Sequence, residues 1–241
     1  PVLQDFMEEK AVVEKEELVA PEEKDPLLQI EELTIGFQRR KGWRKYTQWV
    51  VRDQDLALMP GETLGLIGPS GSGKSTIGRA IVGLNNHEYK HWKYSGDRSK
   101  IQFIFQDPYS ALNSGKSIGW ALDHVLRKHH SHLSAAARLA KAKALLEEVG
   151  LQASDLQKKP RAFSGGQRQR IGIARALAAD PELLICDESV SALDVSVQAQ
   201  VLNLLNGIKK NRGLSMIFIS HDPDVVRYMC DRIIELEPLA F

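Results

Sequence analysis

Cysteine is scarce in this chain, with only 2 among 241 residues. Cys186 and Cys230 are too few for a disulfide framework and fit a reducing, cytoplasmic setting. Cys186 lies in the apolar run Leu183-Leu184-Ile185-Cys186 and is expected to act as a small buried hydrophobe. Runs of about 18 apolar residues are also missing, so no segment is expected to cross a membrane as a helix. The acidic, polar N-terminal stretch lacks the pattern of a secretory leader. Net charge is nearly absent, since 32 Lys and Arg face 31 Asp and Glu for a formal +1. That balance gives the whole chain no strong pull toward nucleic acid or an anionic membrane. Locally the charge is uneven: residues 1–32 hold eleven acids and three bases, whereas 39–52 hold six bases and no acid. What remains is ordinary globular composition, 43% hydrophobic and 26% charged. The length suits one large domain or a domain with a subdomain.

Residues 1–26, rich in Glu and Lys and containing Pro21 and Pro26, read as an acidic tail or linker, with a docked helix as the lesser reading. The rest, 27–241, reads as one domain. Leu27–Phe37 and Trp49–Leu58 have strand character, with Gln38–Lys45 between them as a basic loop. Further strands are expected at Thr63–Ile67, Ile101–Phe105, Glu182–Asp187, Leu214–Ser220 and Arg232–Leu236. Helices are expected at Ile77–Leu84, Ser117–His130, Ser134–Val149, Ser164–Ala179, Ser196–Asn211 and Asp224–Cys230. Strands alternating with helices mean an α/β fold with a mainly parallel core sheet. The helical run from about 107 to 175 breaks that alternation and implies an inserted helical subdomain.

The strand Thr63–Ile67 leads into Gly68-Pro69-Ser70-Gly71-Ser72-Gly73-Lys74-Ser75-Thr76, which fits GxxxxGK[ST], and a helix follows. Strand, glycine-rich loop and helix start are the context a phosphate-binding loop needs. The glycines let successive N–H groups point at a phosphate, and the helix N-terminus favours an anion. Lys74 would reach the β- and γ-phosphates, and the Ser75 hydroxyl would ligate Mg²⁺. Leu183 to Cys186 then deliver Asp187 and Glu188 at a strand's C-terminal edge, where an α/β nucleotide site places carboxylates. Asp187 would hold Mg²⁺ through water, and Glu188 would orient or deprotonate the attacking water. In Phe163-Ser164-Gly165-Gly166-Gln167, Ser164 and Gln167 have capping-box spacing. An ordinary capped helix gives no reason for two glycines in its first turn, where each costs up to about 1 kcal/mol.

These motifs, in this order, resemble the nucleotide-binding subunit of an ABC transporter over about residues 27–236. The Ser-Gly-Gly-Gln run is similar to that family's signature. Gln106 matches its Q-loop glutamine, Ser191-Ala192-Leu193-Asp194 its D-loop, and His221 its switch histidine. Phe105 to Asn113, Phe163 to Leu177 and Ser191 to Leu205 are similar to the oligopeptide, dipeptide and nickel importer branch. The resemblance implies a phosphate-loop, RecA-like ATPase core with a small antiparallel β-subdomain and a helical subdomain. It also implies ATP and Mg²⁺ as cofactors and a pair of nucleotide domains packed head to tail. Ser164, Gly165, Gly166 and Gln167 would then meet the γ-phosphate held by the facing subunit, and Asp194 would act across the dimer. Gln106 would contact Mg²⁺ and water, and His221 would hydrogen-bond the γ-phosphate and position Glu188. The family places an aromatic ring against adenine: Phe37 is the choice, Trp49 or Tyr46 the substitutes, and a core role for Phe37 the plain alternative.

Further partners implied are transmembrane permease subunits and, indirectly, a solute-binding protein, at the cytoplasmic face of a membrane. No nucleic acid is expected, although a soluble ABC-type ATPase working on nucleic acid or ribosomes is the rival reading. The chain departs from the family in several places. Ser189 stands where Pro is usual, with little chemical effect expected. The stretch 85–100 lacks the usual hairpin, which leaves the β-subdomain edge without an expected strand. The cysteine cluster of some peptide importers is missing, so no iron–sulfur centre is expected.

Overall fold

The computed structural model describes residues 25–85, 87–107 and 112–239. Most of the acidic head, residues 1–24, and 108–111 of the Phe105–Asn113 match lie outside the described residues. The chain runs β1 (Leu28–Lys41), β2 (Arg44–Leu58), β3 (Thr63–Ile67), α1 (Lys74–Ile81), β4 (His91–Tyr94) and β5 (Ile101–Ile104). It continues through α2 (Ile118–His129), α3 (Ala135–Glu148), α4 (Gly165–Leu177), β6 (Leu183–Asp187), α5 (Val195–Arg212), β7 (Ser215–Ile219), α6 (Pro223–Met229) and β8 (Arg232–Glu235).

Five strands form a parallel sheet in the order β5-β6-β7-β3-β8. β6 and β7 are buried along their whole length, as near-continuous apolar runs demand of a sheet covered on both faces. Alternate side chains feed two cores. Leu183, Ile185, Ile217 and Ile219 pack with β1, β2 and α1. Leu184, Cys186, Met216 and Phe218 pack with α2 to α5 on the other side. Cys186 is thus a buried core residue, and burial pushes its thiol pKa well above the usual range. Because β5, β6, β7 and β3 are neighbours and parallel, the loops after them leave from one edge, where such sheets bind ligands.

Five helices start on a short polar cap. Ser117, Ser134, Ser164, Asp194 and Asp222 each accept a hydrogen bond from a backbone N–H of the first turn. Their spacing in the sequence sets the helix starts to within a residue or two.

The second sheet is antiparallel, in the order β2-β1-β4. Two expectations are corrected there. The basic stretch 38–45 is not a loop but the end of a hairpin, paired through Lys41↔Arg44. Gly42 and Trp43 make a two-residue turn, with Gly42 at φ 61, the sign such turns favour at their first central residue. The stretch 85–100 does supply an edge strand, since β4 pairs with β1 from Leu28↔Tyr94 to Glu31↔His91. Trp92 and Tyr94 anchor that strand by packing on the β1–β2 core.

Candidate active site

The phosphate loop is built by backbone conformations and contacts that a side chain would spoil. Gly68 has φ 146, and a Cβ there would lie 2.3 Å from the Leu236 carbonyl oxygen. Gly73 has φ 95, and its Cβ would lie 2.6 Å from Val51 Cγ2, so the loop seats directly on β2. Ser70 and Gly71 are exposed at the loop's crest, and Ser75 and Thr76 are half-buried at the start of α1. Lys74 Nζ donates to the carbonyls of Gly68 (2.7 Å) and Pro69 (2.8 Å). Burial lowers its pKa, opposed by the charges of Glu188 and Asp187. Ser72 Oγ is buried and has no hydrogen-bond partner among the described residues. A buried orphan hydroxyl in a glycine-rich cradle fits a phosphate oxygen as its partner.

Beside the loop, the Ser75 hydroxyl donates to Asp187 Oδ1 at 2.5 Å. Arg79 Nη2 stands 3.8 Å from Asp187 Oδ2. The sequence reading missed Arg79, although its place one turn after Lys74 and Ser75 on α1 is a usable signal. Burial raises the Asp187 pKa; the Ser75 hydrogen bond, Arg79 and Lys74 pull it down, and neighbouring Glu188 pushes it up.

Glu188 is bracketed from both sides. Gln106 Nε2 donates to Glu188 Oε2 at 2.8 Å, and His221 Nδ1 lies 3.5 Å from Glu188 Oε1. Sheet order explains the meeting. β6 lies between β5 and β7, so residues just past the three strand ends converge. Glu188 has φ 44, an uncommon conformation for a residue with a Cβ. Its N–H donates to the Ile219 carbonyl at 3.0 Å, and its carbonyl accepts from the Ser191 hydroxyl at 3.0 Å. Strain of this kind persists where the surroundings fix it, and it gathers at working sites. Ser189 is buried behind the carboxylates.

The start of α4 stands apart. Ser164 Oγ accepts from the Gln167 N–H at 3.3 Å, and Gln167 Oε1 accepts from the Ser164 N–H at 3.0 Å. Ser164, Gly165 and Gln167 are exposed. Gly166 is buried, and a Cβ on it would lie 2.3 Å from Val197 Cγ1 of α5. One of the two glycines therefore has a packing reason that the sequence did not disclose. A Cβ on Gly165 would meet only Leu193 Cδ2, at an ordinary 3.7 Å. Among the described residues no hydrogen bond joins Ser164–Gln167 to the phosphate loop. Asp194 caps α5, accepting from the Val197 N–H at 3.0 Å and the Ser196 hydroxyl at 2.9 Å. Phe37 pairs with Gln48 on the hairpin and is partly buried against the β1–β2 core. It lies on the strand pair that carries Val51, against which Gly73 rests.

Comparison with known proteins gives the family. Residues 51–191 match the family model described as ABC transporter. The chain is 43% identical over 231 residues to the oligopeptide transport ATP-binding protein OppF of Haemophilus influenzae, covering 88% of this chain and 69% of that protein. It is 43% identical to the oligopeptide transport ATP-binding protein AmiF of Streptococcus pneumoniae, covering 87% and 71%. Among solved structures, the post-hydrolysis dimer of the ATP-binding cassette MJ0796 bound to ADP and Pi aligns with a TM-score of 0.73 at 27% identity, over 88% of this chain and 97% of that one. The chain belongs to the ABC transporter family, as an ATP-binding cassette.

Proposed function

We propose that this chain hydrolyses ATP to power an ABC membrane transporter whose cargo is a peptide or a related small solute such as a nickel complex. The observation that carries the catalytic part is the convergence of Gln106, Glu188 and His221 beside a phosphate loop whose Ser75 already holds Asp187. The relatives named for oligopeptide transport support the cargo.

ATP phosphates fit the loop from Gly68 to Thr76, with Ser72 Oγ and the loop N–H groups as donors. Lys74 would exchange its two carbonyl partners for phosphate oxygens. Bound Mg²⁺, held by Ser75 and Gln106 and through water by Asp187, would neutralise charge on the transferring phosphate. Glu188 orients the attacking water and accepts its proton, while Gln106 and His221 fix the carboxylate from two sides. Phe37 offers its ring to adenine. The exposed start of α4, Ser164 to Gln167, meets the γ-phosphate of a facing cassette, with Asp194 beside the contact. Permease subunits at the cytoplasmic face of the membrane, with a solute-binding protein acting through them, choose the cargo.

Glu188→Gln keeps the shape and removes the base. Turnover should fall about 10²- to 10⁴-fold while ATP affinity is retained and an ATP-bound dimer accumulates. Undiminished turnover in this variant would remove Glu188 as the base.

A further inference from the structure

The β1–β2 hairpin carries more positive charge than the ATP site uses. β4 pairs only with Leu28 to Glu31 at the start of β1, and an isolated bridge at Thr34↔Glu88 ends that contact. Beyond Phe37 the hairpin is a bare two-stranded ribbon, four residues from Gln38 to Lys41 on one strand. That is about 13 Å of projection. At its tip Trp43 is 95% exposed and Tyr46 49% exposed. A Cβ on Gly42 would meet no atom within 4 Å, so the tip is convex and open.

The charge pattern works against the ribbon's own stability. Arg40 is paired with Lys45, so like charges face each other across the strands. Directly opposed like charges destabilise a hairpin. Among the described residues no carboxylate forms an ion pair with Arg39, Arg40, Arg44 or Lys45. Arg39 Nε donates to the neutral Gln48 Oε1, at 3.2 Å. A marginal element that concentrates bases around an exposed indole, with no ion-pair partner among the described residues, is arranged for an external anion.

We propose that the hairpin tip, Arg39 to Tyr46, docks on an anionic phospholipid surface. Indole and phenol rings sit at the headgroup level of a bilayer, and Lys and Arg beside them reach lipid phosphates. A convex tip of a few residues suits a flat charged surface. Nucleic acid asks instead for a stripe or groove that follows a backbone, whereas these bases are confined to the short end of one hairpin. The inference is independent of ATP hydrolysis: among the described residues no hydrogen bond or ion pair joins Trp43, Arg40 or Arg44 to the phosphate loop or the Glu188 cluster.

The test is co-flotation of the full chain with phosphatidylcholine vesicles, with and without phosphatidylglycerol. Binding should require phosphatidylglycerol and weaken with salt. Arg40→Gln with Arg44→Gln should lower partitioning more than tenfold, from roughly fivefold per base. Trp43→Ser should weaken binding and remove a vesicle-induced blue shift of tryptophan fluorescence. All variants should keep ATP turnover in solution, which shows that they fold. Absence of binding to phosphatidylglycerol vesicles overturns the proposal. So does equal binding by the double variant, or binding of duplex DNA or RNA in place of vesicles.

Discussion

At Asp187 the fold takes a carboxylate almost wholly out of water, leaving 1% of its side chain exposed. In return it offers one hydroxyl and one guanidinium at 3.8 Å. Burial raises the pKa, so the native state binds this proton more tightly than the unfolded chain does. The stabilising contribution is then full below the ordinary carboxylate range and lost as pH rises through the raised pKa. At neutral pH, without nucleotide, the ionised group is a liability. Asp187→Asn keeps an acceptor for Ser75 and removes that charge. It should raise the stability of the nucleotide-free protein by about 1 kcal/mol, or 2–4 °C in Tm, while Mg²⁺-dependent turnover collapses. The gain should shrink toward pH 4. Thermal melts of both proteins across pH decide this, and a variant that melts lower at neutral pH refutes it. At this scale the sequence foretold which residues gather, because Lys74, Ser75, Asp187 and Glu188 sit at fixed offsets from a strand end. Arg79 was missed although its place one turn after Ser75 signals it, whereas the φ of Glu188 was not legible, since it follows from how β7 stands against β6.

The first turn of α4 separates two glycines that read identically in sequence. Gly166 faces α5, and an added methyl would meet the stiff Val197 side chain at 2.3 Å. Gly166→Ala should cost about 1–3 kcal/mol by overpacking, and Val197→Ala in the same chain should recover most of it. Gly165 faces outward with room for a methyl. Gly165→Ala should therefore leave the fold as stable or slightly more so, by up to about 1 kcal/mol from helix propensity. Its ATP turnover should nevertheless drop if a γ-phosphate approaches that backbone. Denaturant midpoints beside turnover rates make the comparison, and a Gly165→Ala enzyme of full activity would leave that glycine without a role. Elements themselves were legible where cap, period and stop agreed, as in α2, α3 and α4. The hairpin tip and β4 were not. Residues 38–45 lack apolar alternation because they join neither core among the described residues, and the four-residue β4 is held by pairing to β1 and by Trp92 and Tyr94.

The whole molecule keeps its two chemical parts apart. Phosphate loop, carboxylates and His221 gather at one edge of the parallel sheet. The capped glycine turn is set by α4 on α5, in the core across that sheet. Ser164 and Gln167 spend their side chains on each other, and among the described residues the turn stays exposed at Ser164, Gly165 and Gln167. On the proposed reading a single chain carries one of each half-site, and two copies facing head to tail would complete both. Lys74→Ala should lose phosphate binding, and Ser164→Arg should block the turn without touching the loop. Each variant alone should be inactive. A mixed dimer contains one pairing of an intact loop with an intact turn, so combining the two proteins should restore turnover that neither shows alone. The restored rate should rise with the total concentration of chains, as a two-body step requires. A mixture as silent as its components, with both variants folded, would show that two copies of this chain do not share their sites. The site would then need a different cassette as its second half.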